Sequence, residues 1–213
     1  MTRQQQGIKG RLNELRRLAS SDDWSTRESG GFGLRDLIET DFDEAMSLTT
    51  AWPTDPSAFV RRAACLGCMQ RKAVTDDRRV RLVLKRLETT MHDDDAYVRK
   101  CCGPFVVGYL GYTYPHLTLP WLRKMATSRD LNVRANVAKA FSQALGRRYP
   151  DDAMNILNVL ADDDRHRVAA AVGASVRNIA RHFGPAWPTA AEAWDLAARH
   201  AATTRKTTTG EHA

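Results

Sequence analysis

Nine lysines and arginines fall between Val60 and Arg86 against two acids, Asp76 and Asp77, so this one segment carries a net charge of +7, as large as that of the whole 213-residue chain. Clustered cations can do one kind of chemistry with little geometric demand, the neutralisation of phosphate or another polyanion. Within the segment the candidates for phosphate contact are Arg62, Arg71, Lys72, Arg78 and Arg79. Lys100 joins them, because it stands where the next repeat of the chain matches Arg62. An acidic protein partner is the alternative reading of the same charge.

Other chemistry is poorly supported by residue type and spacing. Cys65, Cys68, Cys101 and Cys102 reach the count of a structural zinc site, but Cys101 and Cys102 replace Ala63 and Ala64 in repeat alignment. Free cysteine behaves as a small hydrophobe, so buried packing is expected, and four thiols suit a reducing compartment. The six histidines form no H-x-x-x-H or H-E-x-x-H set, and no phosphate-binding glycine loop follows a strand pattern. No metal or cofactor is expected. The opening M-T-R-Q-Q-Q-G is polar, and no stretch approaches ~18 uninterrupted apolar residues. Neither secretion nor a membrane span is therefore expected, and the location is expected to be cytoplasmic.

The elements that must position these cations are read from a repeat. Five times a polar or acidic turn gives way to a helical start bearing an arginine: Arg27, Arg61, Arg99, Arg134 and Arg167, offset by 34, 38, 35 and 33 residues. That period suits a helix pair stacked into a solenoid. The expected fold is all-α, a right-handed α-solenoid of about five HEAT-like helix pairs over residues 24–53, 54–91, 92–127, 128–161 and 162–200. Ile8 to Leu18 forms an N-terminal capping helix, residues 1–203 make one domain, and 204–213 form a disordered tail. Val80, Leu84, Leu87 and Met91 mark the buried face of the second helix of repeat two. In repeat three, a turn at G-Y-T-Y-P precedes a helix starting near Pro120. An arginine in a first helical turn opposes the helix macrodipole, so each is expected to meet an aspartate of an adjacent inter-helix turn.

From Trp24 to Phe141 the chain resembles the HEAT-like-repeat alkylpurine DNA glycosylases of the AlkD type. The resemblance rests on W-S-T-R-E at Trp24, on Trp52 followed by D-P-S-A-F-V-R-R-A-A, on D-D-A-Y-V-R-K-C-C-G-P, and on Tyr114-Pro115. It implies a DNA-binding protein of the alkylation-repair type with duplex, alkylated DNA as partner, and N-glycosylase activity on cationic N3- or N7-alkylpurines. Glu28 falls on the family's catalytic carboxylate, Trp24 on an aromatic lining the lesion site, and Arg62 on an arginine that contacts the backbone near the lesion. A cationic alkylpurine already leaves well, so a carboxylate need only stabilise an oxocarbenium-like sugar and orient water, while an indole holds a cation by cation–π contact. Pro104 stands where the family has a second active-site tryptophan. Ser25-x-x-Glu28 also reads as a capping box, which leaves a structural role for Glu28. A DNA binder without excision and a protein-interaction scaffold are the other readings of such an array.

Overall fold

The computed structural model describes residues 3–71 and 76–184, and among these the chain is all-helical, with no strand. The backbone divides into two compact units, the first ending at Cys102 and the second beginning at Gly103. In the first unit α1 (Arg3–Ala19), α2 (Trp24–Thr40) and α3 (Phe42–Leu48) lead through a 3₁₀ turn at Trp52–Thr54 to α4 (Ala58–Gly67), α5 (Asp77–Met91) and α6 (Ala96–Cys101). A π-helical stretch, Cys102–Val107, leads into α7 (Gly108–Thr113). It is followed by α8 (Pro115–Ala126), α9 (Leu131–Ala140), α10 (Ala144–Arg148), α11 (Pro150–Val159) and α12 (His166–Phe183). No helix among the described residues is long and apolar enough to cross a membrane. Lys72, the last part of the fifth expected pair (185–200) and the tail expected over 204–213 lie outside the described residues.

Helix starts follow from aspartates in the turns. Asp23 accepts from Thr26 N at 2.7 Å, Asp95 from Tyr97 N at 2.7 Å, and Asp130 from Asn132 N and Val133 N at 2.8 and 2.9 Å. Each satisfies backbone donors that have no partner within the helix. Within pairs the break is a single residue. Asp41, Tyr114 and Tyr149 adopt nearly the same conformation (φ −127, −129 and −132; ψ 53, 59 and 65), and two of them precede a proline at the first position of the next helix. The helix expected near Pro120 in fact begins at Pro115, and Pro120 lies inside α8. Burial of Leu117, Leu119, Leu122 and Met125 outweighs the interior proline, whose ring stays on the exposed side.

In the first unit α2 packs on α1 and α4, and α4 packs on α6; in the second, α9 packs on α12. Val80, Leu84, Leu87 and Met91 are all buried. Glycine sets how closely α2 approaches its neighbours: a Cβ on Gly30 would sit 2.6 Å from Ala19 N, and one on Gly31 would sit 2.5 Å from the Leu66 side chain. All four cysteines are buried and free. Among the described residues no group of three or more His, Cys, Asp or Glu is placed to hold a metal ion.

The repeated arginine does meet the negative pole of a neighbouring turn, but more through carbonyls than through carboxylates. The guanidinium of Arg27 donates to the carbonyls of Ser21 and Asp22. Arg61 donates to those of Asp55 and Pro56, and Arg99 to those of Asp93 and Asp94, always five and six residues back. Arg134 reaches the carbonyls of Ala126 and Ser128. The aspartate ladder exists at two steps: Arg61 binds Asp93 and Arg134 binds Asp163. Arg27 meets Tyr97, and Arg167 meets Asn132. Four of the five arginines thus fold back over the preceding turn, and the forward carboxylate is optional.

Candidate nucleic-acid interface

Trp24 and Glu28 lie one turn apart on α2, a spacing that puts both on one face. Trp24 is 60% exposed. The helix begins at Trp24 with Asp23 as its cap, so Ser25 lies inside the first turn and the Ser25-to-Glu28 capping box does not form. The carboxylate of Glu28 turns instead to α4, where it pairs with the guanidinium of Arg62, 34 residues on. Both side chains are largely buried, at 15% and 13% exposed. Burial opposes the charge of Arg62, but the hydrogen bond and charge of Glu28 help hold its pKa above the ordinary guanidinium value.

Aromatic rings complete the arrangement. Tyr97 of α6 lies under Arg62, with the guanidinium carbon 4.5 Å from the ring centroid, and Arg27 lies 4.5 Å from the centroid of Phe59. Tyr97 and Phe59 meet edge to face at 5.6 Å, and the Tyr97 hydroxyl accepts from Arg27 Nε at 3.2 Å. Three alternate helices therefore meet in one cluster: Arg27 and Glu28 from α2, Phe59 and Arg62 from α4, and Tyr97 from α6. Lys100 is one turn beyond Tyr97 on α6 and exposed. The sequence did not single out Tyr97 or Phe59; their signal was position, since each falls two residues before the repeated arginine of its helix.

The other expected cations go elsewhere. Arg71 binds Glu39 through both its backbone N and its Nε, each at 2.7 Å, and reaches Asp36 at 3.2 Å. Arg78 pairs with Asp43 at 2.8 Å, and Arg79 lies over Phe42 at 5.0 Å. These partners occupy the C-terminal end of α2 and the start of α3. Glu39 stands eleven residues beyond Glu28, roughly 16 Å along α2 at 1.5 Å per residue. The basic run thus divides into a Glu28–Arg62–Tyr97 cluster and a second group around Glu39 and Asp43, where Arg71 and Arg78 are already engaged. No protein-family model, curated protein or solved structure matches the chain.

Proposed function

We propose that the chain binds duplex DNA in the manner of the alkylation-repair proteins, and that Glu28 promotes loss of a cationic N3- or N7-alkylpurine from it. The observation that carries this reading is the pairing of Glu28 with Arg62 beside the exposed indole of Trp24. In the reaction the bond from C1′ to the purine nitrogen breaks and its electron pair leaves with the base, cancelling the positive charge. The Glu28 carboxylate faces the oxocarbenium-like sugar and accepts a proton from the water that adds to C1′, leaving an abasic site. Trp24 lies against the cationic base or sugar, a contact worth roughly 0.5–2 kcal/mol depending on desolvation. Arg62 orients Glu28 and offers its remaining N–H groups to a phosphate, with Lys100 adding charge alongside.

Pro104 favours a second reading, duplex binding without excision, since it stands where the enzymes this chain resembles place a second aromatic wall. Both readings require duplex binding that weakens as salt rises, by roughly 0.9 log unit per log unit of salt for each phosphate neutralised. Fluorescence anisotropy of the full chain with a labelled duplex between 50 and 200 mM salt (about the range over which the effect is large) measures this. Absence of binding at low salt overturns both readings. Loss of a preference for methylated over plain duplex in Trp24→Ala supports placing the lesion at Trp24.

A further inference from the structure

Apart from the Glu28–Arg62 cluster, α3, the Trp52–Thr54 turn and α5 enclose a groove of about 490 Å³, within the size range of small-molecule sites. Its walls are mainly apolar, with Phe42, Met46, Pro53 and Leu82 among them, and Leu82 is exposed although large and aliphatic. Lys85 and Arg86 line it from α5.

Arg86 is the informative residue. Its guanidinium spans from α5 to the end of α3, donating to Thr49 Oγ1 at 2.9 Å and to the Met46 carbonyl. Both acceptors are neutral. Burial pulls its pKa below the ordinary guanidinium value, and no carboxylate among the described residues pairs with it. Guanidinium carries five N–H donors, and the bonds to α3 use two of them. None of its nitrogens is sealed off and unpartnered in the interior, and the residue lines the groove. A cation at the C-terminal end of α3 is favourable for the helix, but it does not call for a large apolar recess beside that cation. Asp43, the acid in the lining, is taken up by Arg78 at 2.8 Å, which leaves Lys85 and Arg86 to set the sign of the site.

We propose that this groove binds a small anionic amphiphile, an apolar body carrying one carboxylate, with the carboxylate on Arg86 and Lys85 and the body against Phe42, Met46, Pro53 and Leu82. A carboxylate accepts two parallel N–H bonds from a guanidinium, and a buried cation with only neutral partners gains most from such a ligand. This site shares no residue with the Glu28–Arg62 cluster, so it stands or falls independently of DNA binding.

The test uses the full chain, with octanoate and 1-octanol as probes in amide-resolved NMR titrations. Octanoate is expected to shift resonances of α3, the 52–54 turn and α5, and to bind at least tenfold more tightly than octanol. Lys85→Gln, at an exposed position, is expected to weaken octanoate several-fold and leave octanol unchanged. Arg86→Gln is expected to abolish the preference for the acid. Equal binding of acid and alcohol by the wild-type chain overturns the proposal, as does octanoate that shifts only residues elsewhere or nothing at all. The wild-type comparison decides the matter even if Arg86→Gln fails to fold.

Discussion

Replacing Asp163 by asparagine isolates one step of the arginine ladder. Asp163 is buried, and its carboxylate receives Arg165 Nε at 2.8 Å and Nη2 at 2.6 Å, together with Arg134 Nε. The hydrogen bond from Arg165 leads, against burial, in drawing the carboxyl from its ordinary 3.8 down to about 2, and Arg134 adds to it. At 1.36 kcal/mol per pH unit, that gap corresponds to about 2 kcal/mol of folding stability. The folded pKa lies below the unfolded one, so the contribution is complete above 3.8 and disappears as pH falls through about 2. The amide of the variant has no such titration. Urea unfolding followed by circular dichroism is therefore expected to show Asp163→Asn about 2 kcal/mol less stable at neutral pH, with the difference closing between pH 4 and 2 (roughly the window set by the two pKa values). A difference that stays constant down to the lowest pH, or a carboxyl that titrates in NMR at its ordinary value, refutes the reasoning.

Further predictions concern packing and reactivity. Gly30→Ala places a methyl against the α1 backbone and is expected to cost about 1–3 kcal/mol. Gly7→Ala, whose Cβ meets nothing within 4 Å, is expected to gain roughly 0.5–1 kcal/mol from helix propensity; thermal melts of both variants check the pair. Hydrogen bonding with Cys101, then with Cys102, and burial push the Cys65 thiol well up, while burial pushes Cys68 to about 12. All four cysteines are buried and are expected on that ground to resist a thiol-specific reagent at pH 8 until urea unfolds the chain, and rapid labelling of the native protein contradicts that packing. Asp130→Ala removes the bonds to Asn132 N and Val133 N and is expected to cost about 1 kcal/mol, measured by urea unfolding.

The arginine period, the aspartate-rich turns and the apolar stripe of α5 were legible in the sequence because each depends on local spacing. Helix α12, His166–Phe183, falls within the span 162–200 expected for the fifth helix pair. What escaped depended on competition or on distance. Two overlapping capping patterns precede Glu28, and Asp23 takes the cap, freeing Glu28 to reach a partner 34 residues away. Arg71 and Arg78 read as free cations, because their partners Glu39 and Asp43 are separated from them by 32 and 35 residues. Pro120 read as a helix start, because propensity cannot show how much apolar surface the preceding turn buries. The fold-back of Arg27, Arg61 and Arg99 onto carbonyls five and six residues earlier is a local regularity, yet carbonyls leave no mark in a sequence.

The central claim is that Glu28, held by Arg62 beside Trp24, acts on alkylated DNA. Single-turnover release of free methylated purine from methylated duplex, resolved by mass spectrometry, tests it most directly. The wild-type chain is expected to release the base, and Glu28→Gln, which keeps the shape but loses the charge facing the sugar cation, to do so at least about 100-fold more slowly. Equal release by the two proteins, or none by the wild type above the spontaneous rate, contradicts the claim.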